Sequence, residues 1–148
     1  MESKSLKTSW IILFIVHIVV LINGLIWTFV PNVFLSSWFK SFMGQTWIDF
    51  VSNNASIASF INILIRYFGI MVIIIGFVAI TVTLMAYKRG EKWSWYLALA
   101  GNVTGFCSSV VIAGIIGSIS ALVMNAVLLI VALVALVIGA KPILKKLA

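Results

Sequence analysis

Acidic side chains are almost missing. Asp and Glu number 3 in 148 residues, and Glu2, Asp49 and Glu91 all fall outside the long apolar runs. Cysteine occurs once, as Cys107. No disulfide can therefore close within the chain, and C-x-x-C redox or zinc motifs are excluded. Histidine also occurs once, as His17, with no Cys, Asp or Glu at metal-ligand spacing around it. The chain offers no mutually placed acid, base and nucleophile. No enzyme activity and no cofactor is expected from it. Charged residues of either sign make up only 9%, whereas 64% of the chain is hydrophobic. A soluble domain carries about 25% charged residues and about 45–50% apolar ones. A domain this small cannot hide so much apolar surface from water, so lipid is expected to be part of its solvent.

The apolar residues collect into long runs. Four transmembrane helices are expected, over 10–30, 60–87, 93–113 and 119–140, because about 20 apolar residues cross a hydrocarbon core of roughly 30 Å. Pro31 ends the first run. Pro142 is expected to discourage continuation of the fourth. The third and fourth runs join through a tight turn around Gly114 to Ser118. The fold class is therefore an all-α integral membrane protein, with the four helices in an antiparallel bundle and the whole chain one domain.

Lys and Arg number 10, giving a formal net charge of +7. They are not interleaved as in a nucleic-acid-binding patch, and no nucleic-acid partner is expected. Lys4 and Lys7 precede the first run, Lys88, Arg89 and Lys92 separate the second from the third, and Lys141, Lys145 and Lys146 follow the fourth. The opposite side holds Lys40. The positive-inside rule places both termini in the cytoplasm of a chain in the cell membrane. The outer link 31–59 mixes Trp38, Trp47 and several Phe with serines, Lys40 and Asp49. This pattern suits short amphipathic helices at headgroup depth. Ser52 to Asn54 reads as a turn, with Ser56 or Ser59 capping the second span.

Between helices in lipid, small residues and hydrogen bonds replace the hydrophobic drive. Each span has a stripe of them at steps of three and four. The expected packing residues are Gly24 with His17 and Thr28, then Gly69 and Gly76 with Thr83 and Tyr87, then Gly101 and Gly105, and finally Ala121 with Asn125, Ala132 and Gly139. Cys107 is expected to be a small buried apolar residue. Arg66 lies about six residues inside its run, roughly 9 Å from the outer end. Asn23, Ser108, Ser109 and Asn125 reach comparable depth, so these five form a candidate outer polar layer. His17, Thr81 and Asn102 form a candidate inner one. Arg66 has two readings, a snorkelling or hydrogen-bonding structural residue and an anion or substrate site.

The loop Lys88-Arg89-Gly90-Glu91-Lys92-Trp93, with Trp95 after it, is expected to face lipid on the inner side. This loop, with Gly44-Gln45-Thr46-Trp47 earlier, resembles a broad group of uncharacterised small four-helix membrane proteins of bacteria and archaea. They share a basic-Arg-Gly-Glu-aromatic loop between helices two and three. The resemblance implies the four-helix fold and no activity. The functional expectation is a structural or accessory subunit of a larger membrane complex, in contact with the bilayer and with other integral-membrane subunits or further copies of itself. The alternative is a small oligomeric transporter, channel or ligand-binding protein built on the layer around Arg66.

Overall fold

The computed structural model describes residues 3–145, so Lys146 lies outside the described residues. Among these the regular structure is helical: α1 (Lys4–Phe29), α2 (Asn32–Met43), α3 (Trp47–Asn53), α4 (Ala55–Met85), α5 (Lys92–Ile116) and α6 (Ile119–Leu144), with one 3-10 turn at Tyr87–Arg89. Four of them are long and apolar enough to cross a membrane, namely α1, α4 with the 3-10 turn, α5 and α6.

Every long helix outruns its apolar core at one or both ends. α1 starts at Lys4, because the Ser3 side chain accepts the Leu6 N–H as an N-cap. α4 starts at Ala55, five residues before the expected 60, and its N-cap is Asn54, whose side chain makes no capping bond. The expected caps Ser56 and Ser59 are inside the helix. The expected turn at 52–54 shrinks to Asn54, because α3 runs on to Asn53. α6 continues through Pro142 to Leu144. A proline so near the end removes a single backbone bond, and less than one turn of helix lies beyond it.

The turns follow backbone chemistry. Gly117 has φ +76° and closes α5, its N–H donating to the Ala113 and Gly114 carbonyls while the Ser118 N–H also reaches Ala113. This doubled closure needs a left-handed residue, which glycine supplies without a Cβ clash. Gly90, φ +74°, makes the corresponding reversal after the 3-10 turn.

The packing follows a row rather than an even square. α4 lies on α1, α1 on α6, and α6 on α5, while α4 and α5 barely touch. Thr28 meets Gly69, Leu21 meets Gly76, His17 meets Thr83 and Ser9 meets Tyr87. Chain direction on α4 is thus opposite to that on α1. A core of Leu6, Leu13, Val16, Tyr87, Phe106, Ala132, Ala135, Leu136 and Ile143 fills the centre. The outer surface is apolar: Val137 is 73% exposed, Ile115 70% and Phe77 65%.

The outer link forms a second, smaller core. Leu35, Trp47 and Ala58 are buried, with Phe39 and Phe50 packed on them. Phe39 stands edge-on to Trp47, ring centroids 5.2 Å apart. Thr46 caps α3 by accepting the Asp49 N–H and donating to the Asp49 carboxylate. Trp27 of α1 stands edge-on to both Phe34 and Trp38 of α2, which seats α2 on the end of α1.

Candidate functional site

Two short relays of buried polar side chains run across α1, while buried Ser94 and Ser118 bond only near neighbours in the chain. In the first, Ser9 Oγ donates to the Ala135 carbonyl of α6 at 2.6 Å. A serine has one proton to give, so the Tyr87 hydroxyl must donate to Ser9 at 2.7 Å. The 3-10 turn after α4 is thereby joined to α1 and α6 at one end. Gly139 makes room for this relay, since a Cβ there would lie 2.5 Å from Ser9 Oγ and collide with the Tyr87 hydroxyl. Next to it, the Trp95 indole N–H donates to the Leu136 carbonyl at 2.9 Å.

The second relay is centred on His17. Thr83 spends its hydroxyl proton on the Ala79 carbonyl of its own helix. It can then only accept, so His17 Nδ1, 3.0 Å away, carries a proton. His17 Nε2 is left to accept from Asn102 Nδ2 at 3.4 Å, and the same amide donates to Ala98. The ring is a neutral tautomer held between α4 and α5. Of the expected inner layer, His17 and Asn102 come together. Thr81 does not: it bonds Phe77 of its own helix, and Thr83 takes its place. The two differ by two residues, a rotation of about 200° around the helix.

The outer polar layer is not assembled by mutual hydrogen bonds. Asn23 donates to Val19, Ser108 to Thr104, Ser109 to Gly105 and Asn125 to Ala121, each a carbonyl four residues back on its own helix. Such back-bonding satisfies a polar side chain in an apolar setting without any neighbour. Arg66 lies on the surface, and its Nη1 donates to the Thr28 carbonyl at 2.9 Å. Thr28 stands in the last turn of α1, where carbonyls lack intrahelical partners. Arg66 therefore caps α1 and complements the negative end of its dipole.

The small residues divide. Gly24, Gly69 and Gly76 lie in the α1–α4 contact: a Cβ on Gly69 would stand 2.7 Å from the Thr28 nitrogen, and one on Gly24 2.7 Å from the Ile73 nitrogen. Ala121 is buried on α6. Gly101 and Gly105 meet nothing within 4 Å, and they and Cys107 are exposed. The expectation that these three are buried packing residues is therefore corrected. α5 instead buries Ser94, Asn102, Phe106 and Ala113. This stripe sits one residue, about 100°, round the helix from the glycines.

The loop also divides. Trp95 is half-buried against the core and not lipid-facing, because its N–H is used on α6. The Lys88 ammonium lies 4.9 Å over the Trp10 ring. Trp93 is exposed, and its indole N–H donates to Glu91 at 2.5 Å. Here the end of α4 and the start of α5 enclose an open pocket of about 310 Å³, lined by Thr81, Val82, Met85, Arg89, Glu91 and Trp93. Lys92 starts α5 beside it. The sequence marked Arg89 and Trp93 by type, but Ser9 had no local signal, since its partners are 78 and 126 residues distant, and the role of Gly139 depends on the equally remote Ser9 and Tyr87.

The fold and these relays define an all-α chain with four helices able to span a membrane, whose buried polar groups bind helix to helix. Among the described residues no group of three His, Cys, Asp or Glu is placed to hold a metal ion. No family model, curated protein or solved structure matches the chain.

Proposed function

We propose that the chain is an integral protein of the cell membrane, an antiparallel bundle of four transmembrane helices with both termini in the cytoplasm. In this reading it is a structural or accessory subunit that joins a larger membrane complex through α5. The observation that carries it is the uncovered side of α5. Leu97, Gly101, Thr104, Gly105 and Ser108 lie open along it, beside an α4 that barely touches α5. Small residues at this spacing let a second helix approach closely in lipid. The same residue type is already used that way between α1 and α4, where glycine meets backbone.

The basic ends support the orientation. Tyr87 beside Ser9, and Leu6 and Ile143 in one core, bring Lys4, Lys7, Lys88, Arg89, Lys92, Lys141 and Lys145 toward a common end. The apolar outer surface supports insertion, since soluble monomers rarely expose such continuous apolar area. The rival reading, a transporter or channel around Arg66, draws no support from an outer layer in which Arg66 caps α1 and the other four members bond their own helices. The resemblance of the loop to small four-helix membrane proteins is consistent with the architecture and silent on the partner.

Purification from native membranes in mild detergent, followed by native mass spectrometry, tests the subunit reading. Larger membrane subunits at a fixed ratio are expected. Cys107 flanks the open side of α5, and a short thiol cross-linker placed there should capture the same subunit. A lone monomer or a homo-oligomer, with no cross-linked product, would sink the reading.

A further inference from the structure

The pocket at the foot of α4 holds two opposite charges that do not pair with each other. Arg89 and Glu91 both line it, and among the described residues neither has an ion-pair partner. Glu91 is the N-cap residue of α5, yet its carboxylate makes no capping bond. One carboxylate oxygen, Oε2, accepts the Trp93 indole N–H, which leaves Oε1 without a donor. Arg89 is exposed and makes no side-chain hydrogen bond. Below these charges the wall is Val82 and Met85, the latter 59% exposed.

A cation and an anion held apart above an apolar wall complement a zwitterion with a hydrocarbon tail. A guanidinium matches phosphate oxygens in a forked geometry. A carboxylate oxygen with a free lone pair accepts from an ammonium N–H. We propose that this pocket binds the phosphoethanolamine headgroup of a glycerophospholipid. Arg89 takes the phosphate, Glu91 takes the primary ammonium, and an acyl chain lies along Val82 and Met85. A choline headgroup has no N–H to give Glu91, and a glycerol headgroup has no cation. The inference rests on the membrane-spanning reading, and it does not depend on the chain being a subunit.

The test uses the full chain, recovered from the membrane fraction in detergent. That recovery is scored first and reports the membrane reading separately. The protein is then mixed with equal amounts of phosphatidylethanolamine, phosphatidylglycerol and phosphatidylcholine of identical acyl chains, and adducts on the single-chain mass are counted by native mass spectrometry. Ethanolamine adducts should exceed the other two roughly fivefold, the scale of one partly exposed charge pair. Glu91→Gln should reduce them to the choline level. Arg89→Gln should lower all three lipids. Helix content by circular dichroism should match wild type in both variants. Soluble phosphoethanolamine at millimolar concentration should leave the adduct in place. Equal binding of glycerol or choline lipid by wild type, or a preference that survives Glu91→Gln, would overturn the proposal. Displacement by the soluble headgroup would overturn the lipid as its source.

Discussion

At the scale of single residues, the glycines carry different weights despite identical chemistry. Gly69 has no free space: its missing Cβ is replaced by Thr28, whose nitrogen would stand 2.7 Å away. Gly101 has open space within 4 Å. Gly69→Ala is therefore expected to destabilise the protein by about 1–3 kcal/mol, the usual cost of overpacking a closed contact. Gly101→Ala should stay within about 0.5 kcal/mol of wild type. Thermal unfolding in detergent, followed by circular dichroism, compares them; equal loss in both variants would contradict the packing described. The faces that α1 and α4 use were legible in the sequence, because Gly24 on one and Gly69, Gly76 and Thr83 on the other sit on small-residue stripes, but which helices meet was not. Arg66 was legible as an unusual residue but not as a cap. Its acceptor belongs to a helix 38 residues earlier, and a backbone carbonyl has no signature in sequence.

At the scale of elements, four runs of apolar residues were enough to locate four helices. Their ends were not, because capping at Ser3 and the tolerance of a terminal proline extend helices beyond their hydrophobic cores. The face of α5 was misread for a different reason. Its sequence carries two stripes of nearly the same period, 94-98-102-106 and 97-101-105-108, one residue apart. Smallness favoured the second, whereas the bulk of Phe106 and the amide of Asn102 decided for the first. The His17–Asn102 contact then ties α5 to α1 across a gap that α4 does not fill. A double-mutant cycle with His17→Leu and Asn102→Leu should give a coupling of about 0.5–1 kcal/mol, the scale of interhelical polar contacts in membranes. A coupling of zero would mean that α5 is held by its apolar packing and the Trp95–Leu136 bond, without help from this contact.

At the scale of the whole molecule, charge and aromatic placement separate the two ends. Lys40 and the aromatic trio of Trp27, Phe34 and Trp38 mark one, and the Tyr87–Ser9 relay with its surrounding lysines marks the other. In a chain with Cys107 replaced by Ala, a cysteine at Lys40 should react with a membrane-impermeant maleimide in intact cells. Cysteines at Lys4 or Lys145 should react only after the membrane is opened. The reverse pattern would refute the orientation drawn from the positive-inside rule. The sequence could foresee two-sidedness because it is a matter of composition along the chain. It could not foresee the row α4–α1–α6–α5, which depends on which faces meet.

That row also sets an order of events during synthesis. Of the four long helices, α1 is made before the others and touches both α4 and α6, so α4 can pack on it as soon as α4 is made. α5 has a poorer host, for its main neighbour, α6, follows it in the chain, and what joins it to α1 is the His17–Asn102 contact. On the proposed membrane-spanning reading, a nascent chain stalled before Ile119 would leave α5 largely uncovered and open to another helix that reached it before α6.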